Sequence, residues 1–251
     1  MSIDKAQGFV LNKRNLRETS IIVDLYTKEF GKISGILKGV RAEPEKFASN
    51  LELFSLNEII FYRKIHSSLH LITQADKLNN FSGIRQSVEK ANTTGYMMEL
   101  INSIMQPEDK NEEIFNLALA SIKELETNYS PEKIATIFKI KILKLSGFKP
   151  HFDSCVSCRQ KITTQSKFSL LLGGLLCPDC IQKDLASRSI FRGTIATILH
   201  IEKNSFLSSL NLGINPQIKK ELDLILNSFL NFHLGRELKS QKVLNKMEEP
   251  V

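Results

Sequence analysis

Ser20-Ile21-Ile22-Val23-Asp24-Leu25-Tyr26-Thr27-Lys28-Glu29-Phe30-Gly31-Lys32-Ile33-Ser34-Gly35-Ile36-Leu37 is the stretch on which the fold turns. Ser20 to Tyr26 is rich in β-branched residues, which suit a pleated, half-buried surface. Glu29-Phe30-Gly31-Lys32 reads as a turn, and Ile33 to Val40 as the strand that follows it. Working outward, Phe9 to Leu11 is apolar and precedes a polar stretch, Asn12 to Glu18. Leu51 to Tyr62 is dense in apolar residues, and Leu69 to Thr73 follows the polar break at His66 to Ser68. Five strand candidates at about 10-residue spacing suggest a small closed antiparallel barrel. A β-sandwich wants more strands.

Past residue 80 the period changes. Asn111 to Thr127 carries Ile114, Phe115, Ala118, Ile122 and Leu125 on one helical face. The next helix has its start signals in place: Ser130 can cap, Pro131 takes the first helical position, and Glu132 favours the positive end of the dipole. Ile134, Phe138, Ile142 and Leu145 form its stripe, and Gly147 and Pro150 end it. Asn215-Pro216 opens a similar helix with Ile218, Leu222, Ile225 and Phe229, while 81–105 and 190–210 also read as helical. The expected fold is α+β and multidomain: a five-stranded barrel over 1–80, a helical domain over 81–150 and 186–251, and a cysteine lobe inserted at 151–185.

Composition limits the possible functions. Hydrophobic residues make up 42% of the 251 residues and charged residues 24%, which fits a globular chain and excludes a disordered tail or a collagen repeat. The longest mainly apolar run, Leu170 to Cys177, is far short of the roughly 20 residues of a membrane-spanning helix. The amino terminus has an acid at Asp4 and no apolar stretch behind it, so no secretory signal is expected and the chain is placed in the cytosol. The net charge of +7 suggests a polyanionic partner, and 25 Lys against 9 Arg leans toward phosphate contact rather than base reading.

The four cysteines form two C-x-x-C pairs, Cys155/Cys158 and Cys177/Cys180, separated by 18 residues. In an unsecreted chain this grouping argues against disulfides and matches four-thiolate zinc spacing. Two residues between cysteines let one tight turn aim both sulfurs at a single point. Phe168 to Leu172 reads as a strand, Gly173-Gly174 as a two-residue hairpin turn, and Leu175-Leu176 as the return that brings the second pair to the first. Four thiolates leave no open position for a substrate, so Zn2+ here is structural. His151 is an alternative ligand.

The basic residues Lys13, Arg14 and Arg17 follow the first strand, Lys38 and Arg41 end the third, and Arg63 and Lys64 end the fourth. They are expected to make one positive barrel rim for nucleic acid, with Phe30, Phe47, Phe61 and Tyr62 as candidate stacking rings. The acids Glu18, Glu29, Glu43 and Glu45 dilute it. Lys133, Lys139, Lys141, Lys144 and Lys149 line a helix, either as a solvated face or as a site for an acidic peptide with an apolar anchor. Phosphate-binding, dinucleotide-binding and H-E-x-x-H motifs are absent from the sequence, so catalysis is not expected. Ser130-x-x-Lys133 formally fits a serine–lysine nucleophile pattern, but capping accounts for it better.

Arg14-x-x-x-Glu18-x-Ser20, Tyr26-Thr27-x-x-x-Gly31-Lys32-Ile33-Ser34-Gly35, Lys38-Gly39, Gly173-Gly174-Leu175-Leu176-Cys177 and His233-Leu234-Gly235-Arg236-x-Leu238-Lys239-Ser240 occur in an order that resembles the RecO family of bacterial recombination mediators. The resemblance covers nearly the whole chain. It implies an oligonucleotide/oligosaccharide-binding (OB) barrel, a helical domain with a zinc lobe, and a non-catalytic role in DNA repair. It implies binding to single- and double-stranded DNA, strand annealing, contact with the acidic C-terminal tail of the single-stranded-DNA-binding protein and with RecR, and help to RecA in displacing that coating protein. It places Lys38 and Arg41 where the family carries DNA-contacting residues. The tail site implied for the family is assigned to Lys133, Lys139, Lys141 and Lys144. The competing readings are a zinc-containing protein adaptor that binds no nucleic acid, and a thiol oxidoreductase.

Overall fold

The computed structural model describes residues 2–43, 51–64, 67–127, 129–162 and 165–248. Five strands, β1 (Ser2–Leu16), β2 (Ser20–Thr27), β3 (Gly31–Leu37), β4 (Leu56–Arg63) and β5 (Leu69–Asn79), close into an OB-type barrel in the order β1-β2-β3-β5-β4. The quoted stretch behaves as its pattern demands: Ile21, Val23 and Leu25 point into the barrel, and Ser20, Ile22 and Asp24 point outward. One pairing, β3 with β5, is parallel rather than antiparallel as expected, because the long connection after β3 carries the chain across to β4 first. The strand β1 is also longer than its apolar segment. Its first half pairs with β4 and its second half with β2, with a bulge between Val10 and Asn12. The polar residues 12–15 are therefore an exposed hairpin arm whose partner strand supplies the backbone hydrogen bonds.

Helices α1 (Ser82–Arg85), α2 (Val88–Ile104) and α3 (Glu112–Leu125) fold with the barrel in one compact unit that runs through Pro131. The Asn111 side chain caps α3 by accepting from Ile114 N at 3.1 Å, and the whole expected stripe of α3 is buried. Phe115 from that stripe packs on Phe9 with ring centroids 5.2 Å apart. The α2–α3 connection lies on the barrel end. Glu108 N donates to Lys32 O at 2.8 Å, Tyr26 Oη to Asn111 O at 3.1 Å, and Lys32 Nζ to Asn102 O at 2.8 Å.

The second compact unit spans Glu132–Lys242. It holds nearly all of α4 (Pro131–Leu145), a small sheet of β6 (His151–Cys155), β7 (Lys167–Ser169), β8 (Gly174–Leu176) and β9 (Arg188–Ser189), and α5 (Arg192–Lys203), α6 (Phe206–Leu210) and α7 (Pro216–Leu234). The last helix, α8, runs from Lys239 to Glu248. The units thus divide the chain near Pro131, and the helices before that point belong with the barrel instead of with the later ones. The cysteine hairpin also departs from expectation. Strand β7 stops at Ser169, whose hydroxyl accepts from Leu172 N at 3.0 Å, so Leu170–Gly173 form the turn. Gly174 opens β8, where a Cβ would meet His151 O at 2.8 Å.

Gly31 combines a left-handed backbone with a backbone clash for any side chain. Its φ is +65°, and a Cβ would lie 2.2 Å from Asp109 O. Gly31→Ala should lower stability in urea denaturation by about 2 kcal/mol or more, from the left-handed backbone and the displaced connection together. A parental midpoint would show that this connection does not rest on the barrel.

Candidate metal centre and nucleic-acid interface

The sheet β6-β8-β7-β9 explains how two distant cysteine pairs meet. Strands β6 and β8 run parallel with Cys155 opposite Leu175, so Cys155 at the end of one lies beside Cys177 just past the end of the other. Each pair sits on a tight turn: Arg159 N donates to Cys155 O and Cys180 N to Cys177 O, both at 2.9 Å. All four sulfurs lie within 4.8 Å of one another, and none is in a disulfide. The Cys158 and Cys177 sulfurs are 3.7 Å apart. A tetrahedral ion with metal–sulfur bonds of about 2.3 Å has sulfur–sulfur edges of about 3.8 Å, so the spacing suits such an ion. Three of the four cysteines are buried, under Leu176, Val156, Ile162 and Ile181.

Burial raises the Cys155 thiol, but backbone hydrogen bonds at Cys158, Cys177 and Ser157 outweigh it and bring it down to about 6. Burial and hydrogen bonds among the sulfurs push Cys177 up to about 12. Negative charge on one sulfur therefore opposes ionisation of the next, and a divalent cation among them would relieve that opposition. The cluster can hold a metal ion. His151 is not part of it; its Nε2 lies 2.7 Å from Ser154 Oγ.

The basic barrel residues do not form one rim. Strand β4 runs antiparallel to β1, so its C-terminal end lies beside the start of β1, with Ser2 opposite Arg63. Arg63 and Lys64 therefore belong to the barrel end opposite Arg17, Lys38 and Arg41. Arg63 is spent there. It pairs with Glu108 and lies 5.3 Å over the Phe30 ring. Lys64 N donates to Nδ1 of buried His70 at 3.3 Å. On the other end, Arg17 occupies the β1–β2 turn with φ +53°, and its carbonyl accepts from the Arg41 guanidinium at 3.1 Å. Arg41 N donates to Thr19 O at 2.9 Å, which brings Arg17, Lys38 and Arg41 together as exposed groups. Arg14 faces outward 3.8 Å from Asp24. Lys13 faces the barrel mouth, where burial lowers its pKa against the attraction of Glu52. Of the candidate rings, Phe61 is core, Phe30 is half-buried against it, Tyr62 is half-buried, and Phe47 falls outside the described residues, as does Glu45.

The lysine row of α4 is not a uniform solvated face: Lys139 and Lys141 are buried and Lys144 is exposed. Lys139 is 5% exposed, and its Nζ donates to Asp223 at 3.1 Å and Asn227 at 2.7 Å, tying α4 to α7. Lys141 donates to Asn204 O and Lys144 to Glu202 O, the latter at 2.7 Å, so both cap the carbonyl end of α5. Lys149 pairs with Glu202 and Asp153. Lys133 is half-buried and has contacts of its own. Sequence spacing showed which lysines share a helix, but not that acids and carbonyls from α5 and α7 come to meet them.

Comparison with known proteins covers the chain in two parts. The model described as Recombination protein O N terminal matches residues 1–81, and the one described as Recombination protein O C terminal matches residues 85–242. The "DNA repair protein RecO" of Syntrophus aciditrophicus is 31% identical over 248 residues, 97% of this chain and 96% of that one. The protein of the same description from Alkaliphilus metalliredigens is 30% identical, over 92% of this chain and 94% of its own. A third, from Dehalococcoides mccartyi, is 30% identical, over 94% and 92% respectively. With an OB-type barrel, a helical second half and four clustered cysteines in this order, the chain belongs to the RecO family of DNA repair proteins.

Proposed function

We propose that this chain is a non-catalytic recombination mediator. It binds single- and double-stranded DNA, promotes annealing of complementary strands, and with RecR helps RecA replace the single-stranded-DNA-binding protein. The observation that carries this reading is the barrel end where Arg17 from the β1–β2 turn and Lys38 and Arg41 from the segment after β3 stand exposed together. Annealing breaks and makes no covalent bond. It requires two polyanions to be held close while their repulsion is screened, which Lys and Arg achieve by displacing condensed counterions without reading bases. The acidic tail of the coating protein and RecR are partners in this reading, with no residue of the α4 row assigned to them. A cytoplasmic, nucleoid-associated location goes with it, and among the described residues no helix is long and apolar enough to cross a membrane.

The cysteine cluster holds Zn2+ in this reading. Cys155, Cys158, Cys177 and Cys180 all serve as ligands, so the ion has no position left for substrate and acts as a fold staple. Replacing Cys177 and Cys180 by Ser should release stoichiometric zinc and cost the second unit on the order of 4 kcal/mol in a thermal or denaturant melt. A chain purified from zinc-supplemented cells with no bound metal would remove the assignment. Thiols that react freely before chelation would favour the oxidoreductase reading.

DNA binding is checked by titrating a short oligonucleotide over a range of salt. Log K should fall linearly with log salt, and Lys38→Glu with Arg41→Glu should make that slope shallower by about 1 to 2 units. An unchanged slope would move the contact off this barrel end. No retardation at low salt would leave the adaptor reading.

A further inference from the structure

The positive charge of the chain is unevenly distributed. Residues 132–242 hold 17 Lys and Arg against 8 Asp and Glu, a net of +9, so the remainder of the chain sums to −2 out of the total of +7. Much of that excess lies in the cysteine lobe and its exit, on Arg159, Lys161, Lys167, Lys183, Arg188 and Arg192. Among the described residues none of these six forms an ion pair, and all but half-buried Lys167 are exposed. Most of the nearby acids are occupied. Asp153 pairs with Lys149, and Asp184 accepts from Ser169 Oγ at 2.6 Å and Ala186 N at 3.0 Å. Glu221 accepts from Phe191 N at 3.1 Å and from Thr194 Oγ1. Asp179 alone of the lobe's acids stands exposed without a bond of this kind among the described residues.

Three of these cations, Lys167, Arg188 and Arg192, stand at one edge of the sheet, whereas Arg159 follows β6 at the other. Strand β9 ends the sheet and pairs with β7, with Arg188 opposite Phe168 and Ser189 opposite Lys167. Arg188 therefore lies on one side of the edge strand and Lys167 on the other. On the Lys167 side is a cleft of about 330 Å³, lined among others by Ser166, Lys167, Phe191 and Arg192. The cleft is also lined by Glu221, whose carboxylate accepts from Phe191 N. Phe191 beside it is 53% exposed. Cations for phosphates and an open aromatic face are the components of a single-strand binding platform.

We infer that the β7–β9 edge of the cysteine lobe is a second nucleic-acid contact, which takes the sugar–phosphate backbone of a single strand on Lys167 and Arg192 at one side of the edge strand and on Arg188 at the other, and stacks a base on Phe191. This rests on the DNA-binding reading above and extends it: strand contact is not confined to the barrel, and the metal cluster rigidifies a surface that touches DNA.

The test uses the full-length chain and a fluorescent oligothymidylate, followed by anisotropy across a salt series. Changing Lys167, Arg188 and Arg192 together to Gln should make the log K against log salt slope shallower by about 2 units. Phe191→Ala should weaken binding roughly tenfold with the slope unchanged, because stacking releases no counterions. If the triple variant melts below the parent, Arg188→Gln alone replaces it, with an expected change of about 0.7 unit. Parental affinity and slope in folded variants at all four positions would overturn the lobe contact. If Lys38→Glu with Arg41→Glu still flattened the slope, DNA binding itself would stand. A parent that binds no strand would overturn both.

Discussion

A cation whose counter-charge lies within its own fold cannot also hold a phosphate, and in this chain that constraint separates structural lysines from available ones. Burying an ammonium group costs several kcal/mol unless acids and carbonyls meet it. Lys139 satisfies the condition through Asp223 and Asn227, and Lys141 through the end of α5. Exposed Lys144 and half-buried Arg63 also have partners, Glu202 O and Glu108. Arg17, Lys38 and Arg41 at one barrel end, and Arg188 and Arg192 at the β7–β9 edge, are among the groups facing solvent.

The cysteine cluster meets a different need. The lobe has strands of two to five residues and little apolar surface of its own, too little for an independent core. Four sulfurs within 4.8 Å supply a closure point that the strands cannot. The parallel β6–β8 pairing and the two tight turns are what bring the sulfurs into register, so sheet and cluster depend on each other. A surface presented from such a lobe keeps its shape, which matters where Lys167, Arg188, Arg192 and Phe191 must be presented together.

The barrel strands, the α3, α4 and α7 stripes and the cysteine cluster were legible in the sequence because each rests on local periodicity or fixed spacing. Ile21, Val23 and Leu25 point inward as their alternation requires, and Asn215 caps α7 as its position before Pro216 suggests. Features set by tertiary placement were not legible. The polar arm of β1 carries no hydrophobic pattern and is held as strand by its neighbour. The opposed placement of Arg63 and Lys38 follows from strand direction, which an antiparallel topology already contained and a reading of strand ends alone overlooked. The contact of Glu108 with Lys32 and Arg63 joins residues 45 or more positions apart, with no spacing signal between them. The edge patch had a signal in the charge difference between the two parts of the chain, but only the sheet order shows which cations share an edge.

Photochemical cross-linking with an iodouracil-substituted single strand, followed by identification of the modified peptides, tests most directly whether uncompensated cations define where DNA lies. The account predicts adducts in the peptides around Arg17 to Arg41 and around Lys167 to Arg192, both lost as salt rises. Adducts confined to peptides of the α4 row or of the Arg63–Glu108 end, where the charges are already paired, would contradict it.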